Sequence, residues 1–308
     1  MAETVDFYRT PDAAFAGLPD YPFAPNWLSW QGLRIHYLDE GPRDGPIALL
    51  MHGEPTWSFL YRRMIPGLVA AGYRCIAPDY AGFGKSDKPV DDNWYVIERH
   101  IQLVRHLIET LDLNRITIFV QDWGGPIGLR QAVDMPERFE RLVILNTWLH
   151  HAAYEYSDAI RSWRAQATNP VWLRWTDGDL PVGGIIAWTS ARPGADREML
   201  RRAYEAPFAG GRSKAGPRRF PWCIPFGEPE AGNAVDQERC FEALKRWDKP
   251  AHFIFGDRDP IFTAAWGAQW AAQVPGATFD TVPNASHFCQ EDNGEAIIET
   301  FLMRRGAR

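Results

Sequence analysis

Residues 116–125, ITIFVQDWGG, decide how the rest of the chain is read. Ile116, Thr117, Ile118, Phe119 and Val120 are all β-branched or aromatic, with no polar alternation. That pattern suits a strand covered on both faces of a parallel sheet. Asp122 follows at once, and Gly124 and Gly125 permit a tight turn into a helix whose Ile127, Leu129 and Ala132 pack back on the sheet. Such an elbow lifts one side chain clear of the sheet edge. Here that side chain is a carboxylate, ionised at neutral pH without a neighbouring base, so it can attack a saturated carbon directly. The product would be an ester of the protein's own carboxyl, which water must then cleave. Taken alone, Asp122 reads equally as an N-cap of the next helix, and the remaining chain has to decide.

Composition narrows the classes. The 308 residues are enough for one large core with an inserted segment, and 45% hydrophobic with 23% charged residues is ordinary for a globular chain. A net charge of -6 with no basic run argues against a nucleic-acid partner. Fourteen tryptophans suit a packed core or an aromatic-lined pocket. Cys75, Cys223, Cys240 and Cys289 show no ligand spacing, so they are expected as free thiols, with no metal site and no disulfide framework. The N-terminal stretch lacks the basic-then-apolar pattern of a signal, and no apolar run is long enough to span a bilayer. The expectation is a cytoplasmic monomer with no membrane contact.

Along the chain, residues 10–25 read as an irregular arm, and 32–40 alternate like an early antiparallel strand. Residues 47–51 form a short apolar strand running into HGEPTW at 52–57, where a His-Gly turn can leave the next N–H above the sheet. The N–H groups of Glu54 and Trp123 are the candidate oxyanion pair. A strand at 73–77 precedes PDYAGFGKSDKP, whose Asp79 and Ser86 are read as turn residues. Ile97, Ile101, Val104, Ile108 and Leu111 share one helical face, and 142–145 (LVIL) is a further buried strand. Alternation of strand and helix predicts a doubly wound, mostly parallel α/β sheet. From 148 to 226 the pattern breaks into short helical stretches, predicting a helical cap between core parts 1–147 and 227–308. Regular order then returns with a helix at 237–246, a strand at 251–255 ending in GDRDP, a helix carrying Trp266 and Trp270, a strand at 277–282, and NASHF at 284–288.

Asp122, Asp259 and His287 each follow a predicted strand, where catalytic groups gather in such sheets. Their chain order, nucleophile then acid then histidine, is that of an α/β-hydrolase triad. Asp257 and the position of Asn146 compete with Asp259 for the acid. HGEPTW, VQDWGG at 120–125, GDRDP at 256–260 and SHFCQE at 286–291 resemble the haloalkane dehalogenases, in the branch whose acid follows the late strand. The resemblance extends to RTPD near the N-terminus and YEAPF at 204–208. It implies that Asp122 displaces halide, that His287, oriented by Asp259, activates water, and that no cofactor or metal takes part. Water, a small apolar halogenated substrate and the released halide would be the only partners. Glu54 would help to hold the water. Indole N–H groups, which only donate, would bind the halide: Trp123, and from the cap Trp163, with Trp172, Trp175 and Trp188 as rivals. Ile160 stands where a relative has Phe.

Three other readings share the elbow. An epoxide hydrolase would draw on cap tyrosines, for which Tyr154, Tyr156 and Tyr204 are available. A fluoroacetate-type enzyme would want an arginine near the nucleophile, and Arg130 lies far along the helix. A non-catalytic ligand sensor would not need Asp122, Asp259 and His287 together.

Overall fold

The structure is a computed structural model that describes residues 5–306. Eight strands form one sheet: β1 (Asn26–Trp30), β2 (Leu33–Glu40), β3 (Ile47–Met51), β4 (Arg74–Pro78), β5 (Ile116–Val120), β6 (Phe139–Ile144), β7 (Ala251–Gly256) and β8 (Thr278–Val282). Their spatial order is β1-β2-β4-β3-β5-β6-β7-β8. The β1/β2 and β2/β4 pairs are antiparallel, and every pair from β4 to β8 is parallel. Every residue of β3, β5 and β7 is buried. Each fully buried Val, Ile, Leu or Phe there contributes about 1.5–3 kcal/mol by leaving water.

The helices in chain order are α1 (Ile65–Ala70), α2 (Ile97–Thr110), α3 (Gly124–Asp134), α4 (Asp158–Ala167), α5 (Pro170–Trp175), α6 (Val182–Thr189), α7 (Arg197–Glu205), α8 (Ala215–Arg219), α9 (Ala234–Leu244), α10 (Ala264–Ala271) and α11 (Cys289–Gly306). The last is kinked at Asn293. Helices α4 to α8 lie between β6 and β7, and none of the described residues of that insertion joins the sheet.

The predicted strands and long helices fall close to their expected places, with ends shifted by a few residues. Two elements escaped the sequence reading. Strand β1 is a half-exposed edge whose Asn26 and Ser29 break the apolar signal, and α1 is one short turn pair containing Pro66 and Gly67. The arm at 10–25 contains a single 3-10 turn, Asp12–Phe15, and Phe7–Tyr8 pairs with Lys88–Pro89. All four cysteines are buried and unpaired.

Backbone geometry at the elbow explains its residues. Asp122 sits in the left-handed region at φ 48°, which costs a non-glycine residue conformational energy and persists only where surroundings hold it. The first turn of α3 then passes so close to β3 that a Cβ at Gly124 would stand 2.2 Å from the Met51 carbonyl oxygen. Only glycine admits that approach.

Candidate active site

The loops after β3, β5, β6, β7 and β8 bring Glu54, Asp122, Asn146, Asp259 and His287 to one edge of the sheet. His287 stands between two carboxylates. Its Nδ1 lies 3.1 Å from Asp259 Oδ2, and its Nε2 lies 3.6 Å from Asp122 Oδ2. All three side chains are at most about one-tenth exposed.

Asp259 rather than Asp257 faces the ring. The Asp257 side chain is 38% exposed and accepts from the Ala285 N–H, whereas Asp259 is held on both oxygens. Ile261 N donates to its Oδ1 at 2.7 Å and Asn146 Nδ2 to its Oδ2 at 2.9 Å. Asn146 in turn accepts from Gly256 N at 2.8 Å, so it clamps the Asp259 carboxylate instead of standing in for it. Gln121, next to Asp122, donates to the His287 carbonyl at 3.0 Å. Neither clamp is legible from sequence, because each joins residues more than a hundred positions apart.

Of the two candidate oxyanion donors, Glu54 N already donates to Asp122 Oδ1 at 2.8 Å. The Trp123 N–H opens α3 with no acceptor among the described residues. A Cβ at position 53 would fall 2.3 Å from Asp122 Cβ, so Gly53 is what lets this turn approach the carboxylate.

A cavity of about 400 Å³ opens above Asp122, near the small end of ligand pockets, which run roughly 300–1,000 Å³. Its walls include Glu54, Asp122 and His287 from the core and Ile160, Trp163 and Ile185 from the insertion. No arginine or lysine is among the described lining residues. Trp123 and Trp163 both line it, and neither indole N–H donates to a described residue. Of the rivals, Trp188 lines the rim at 80% exposure. Trp172 lines an adjoining cavity of about 310 Å³ that shares Trp163. The Trp175 side chain lies outside the described residues. Trp148, which the sequence reading passed over, also lines the main cavity and packs edge-on to Trp123, their ring centroids 4.8 Å apart.

The three tyrosines are engaged elsewhere. Tyr204 donates to Glu291 at 2.7 Å, Tyr156 pairs with His150 at 2.9 Å, and Tyr154 packs on Trp266; none lines the cavity. Arg130 is likewise committed to Asp134 and Asp236.

Charge sets two protonation states. Burial alone would pull the His287 imidazole down, but the Asp259 and Asp122 carboxylates outweigh it and hold its pKa up at about 10. Burial, then the Asp122 charge, pushes the Glu54 carboxyl well above its ordinary range, against a smaller opposing pull from His287. One Glu54 oxygen, Oε1, is buried without a protein partner.

The sheet order and these strand-end residues define an α/β hydrolase. The family model of that fold, "alpha/beta hydrolase fold", matches residues 46–184. The chain is 43% identical to a haloalkane dehalogenase of Mycolicibacterium paratuberculosis over 96% of each chain. It superposes on the tetrameric haloalkane dehalogenase of Paraglaciecola agarilytica NO2 with a TM-score of 0.88 and 34% identity, covering 99% of this chain and 100% of the other. A more distant relative, a cis-3-alkyl-4-alkyloxetan-2-one decarboxylase of Xanthomonas campestris, is 32% identical over 93% of this chain and 98% of its own. The chain belongs to the haloalkane dehalogenase family.

Two titrations test the electrostatics. Asp122→Asn removes one carboxylate beside His287 while keeping its shape, so the imidazole should titrate at least about one pH unit lower, read from ring-proton NMR shifts. An unmoved midpoint would mean that Asp259 alone holds the proton. For Glu54, a folded pKa above the unfolded one means that folding favours the protonated acid, and stability declines as pH climbs past the ordinary value of 4.5. Glu54→Gln mimics the protonated form. It should melt higher than the unaltered chain at about pH 8, with the gap closing by about pH 4.

Proposed function

We propose that the chain hydrolyses small haloalkanes to alcohol, halide and a proton through an alkyl ester on Asp122. The observation that carries this reading is the apolar cavity that joins the Asp122 carboxylate to two undonated indoles, with no arginine, lysine or tyrosine hydroxyl among its described walls. In the first step an Asp122 oxygen attacks the halogenated carbon from the side opposite the halogen. The carbon–halogen bond breaks and the halide leaves with the electron pair. The Trp123 and Trp163 N–H groups are the donors for that anion, and an indole cannot compete as a nucleophile.

Esterification cancels the charge on Asp122, so His287 loses one of the two carboxylates that hold its proton. The ring then gives that proton up to solvent, the proton of the net reaction, and becomes the base for the second step, with Asp259 keeping it oriented. A water, held by the Glu54 carboxyl, attacks the ester carbonyl while His287 takes its proton. The oxyanion forms at the Glu54 and Trp123 N–H groups; its collapse expels the alkoxide, which takes the proton from His287 and leaves as the alcohol, and the Asp122 carboxyl then passes its own proton to His287, restoring the starting pair. In this scheme residues 148–226 act as the cap over core parts 1–147 and 227–308. The reading takes a single chain as the working unit, whereas the Paraglaciecola relative was solved as a tetramer.

The deciding assay is bromide release from a terminal bromoalkane. The unaltered chain should release bromide, Asp122→Ala should not, and His287→Gln should accumulate a protein heavier by the alkyl group on mass spectrometry. Turnover of styrene oxide or of an oxetan-2-one without bromide release would replace this reading. Trp163→Phe should lower kcat/KM roughly ten- to hundredfold, the range expected for losing a hydrogen bond to an anion. Wild-type turnover in that variant would move the second donor to Trp148 or Trp188.

A further inference from the structure

Two adjacent carboxylates near the start of α11 reach groups far from their own helix. Glu291 takes both terminal nitrogens of buried Arg62, at 2.5 and 2.7 Å, and the Tyr204 hydroxyl of α7. Asp292 is only 2% exposed, and no guanidinium or ammonium touches its carboxylate oxygens among the described residues. A buried carboxylate without a counter-ion depends on hydrogen bonds to offset its lost hydration.

Its donors come from two places. Oδ1 accepts from Ser190 Oγ at 2.7 Å, Ala191 N at 3.0 Å and Arg192 N at 3.1 Å, in the corner that follows α6. Oδ2 accepts from Ser286 N at 2.8 Å, the residue immediately before His287. A carboxylate in a first helical turn ordinarily serves that helix's own free N–H groups. Asp292 serves none of them. It bridges the insertion and the histidine loop instead.

That bridge sits between the two parts of the site that must agree. Helix α6 ends one residue before Ser190 and lends Ile185, Trp188 and Thr189 to the cavity wall. We infer that Asp292 is a positioning residue that couples the seating of the α6–α7 corner to the placement of His287. This rests on the proposed hydrolysis of an Asp122 ester, the step that needs the histidine. A displacement of the corner alters the donors on Oδ1, and the rigid carboxylate passes it to the Ser286 N–H on Oδ2. Alkylation by Asp122 needs no histidine base and is spared.

Single-turnover kinetics with a terminal bromoalkane separate these steps, bromide reporting alkylation and decay of the alkyl-enzyme mass reporting ester hydrolysis. Asp292→Asn puts an NH2 against donors on one side. It should slow ester hydrolysis about tenfold or more, with the bromide burst within about twofold of the unaltered chain. Ser190→Ala removes one hydroxyl from the insertion, leaves the histidine loop untouched, and should slow the same step roughly three- to tenfold. If Asp292→Asn fails to fold, Ser190→Ala carries the test. Ester hydrolysis at the unaltered rate in Ser190→Ala would overturn the coupling, as would a loss of both steps in equal proportion. The ring-nitrogen NMR signals of His287 give a readout that needs no substrate. They should move in Ser190→Ala, and unmoved signals would also overturn the coupling. A chain that releases no bromide would remove the dehalogenation reading while leaving the NMR result to judge the coupling.

Discussion

An imidazole held between two carboxylates, in a pocket with no arginine or lysine among its described walls, is the arrangement on which the rest of this structure depends. Charges in such a place interact far more strongly than in water, so small errors of position carry a large energetic effect. The scaffold answers with redundant restraint. Asp259 is held by Asn146 and by the Ile261 N–H, Asp122 by the Glu54 N–H and a left-handed backbone, and His287 by Gln121 and the Ser286 anchor. These restraints come from the loops that leave the carboxyl ends of the strands and from the start of α11. The proposed reaction uses this arrangement twice, first through the carboxylate that attacks and then through the base its neutralisation exposes.

The inserted helices contribute differently. They supply apolar wall and indoles, and of the many polar ties that join them to the core, such as that from Arg218 to Asp92, three lie beside the site. Ser157 donates to the Ile261 carbonyl, beside the loop that carries Asp259, and caps α4 by accepting from Ile160 N. Ser190 and Tyr204 reach Asp292 and Glu291. These ties converge on the segments bearing the acid and the histidine, so the shape of the cavity and the state of the machinery are set by the same contacts.

Much of the core was legible because its strands are buried on both faces, which leaves an unbroken apolar signature in β3, β5 and β7. The elbow was legible for a sharper reason: Asp122, Gly124 and Gly125 answer a backbone geometry that few residues satisfy. Strand β1 was not, since an edge strand exposes one face; its Trp27 lies under the Arg34 guanidinium at 3.8 Å instead of in the core. The clamps on the acid and the histidine were also hidden. Asn146 was visible only as a place where an acid was missing, and the pairing that gives it meaning spans 113 residues. The link from Ser190 to Asp292 spans 102, and no local periodicity encodes such a meeting.

The engagement of Tyr204 has an evolutionary reach. Its hydroxyl completes the solvation of a carboxylate that also neutralises a fully buried guanidinium, so withdrawing it to greet a strained ether would leave Glu291 and Arg62 short of a partner in a place water does not reach. Recruiting that hydroxyl as a proton donor to a departing alkoxide would therefore unsettle the Glu291–Arg62 pair in the same stroke.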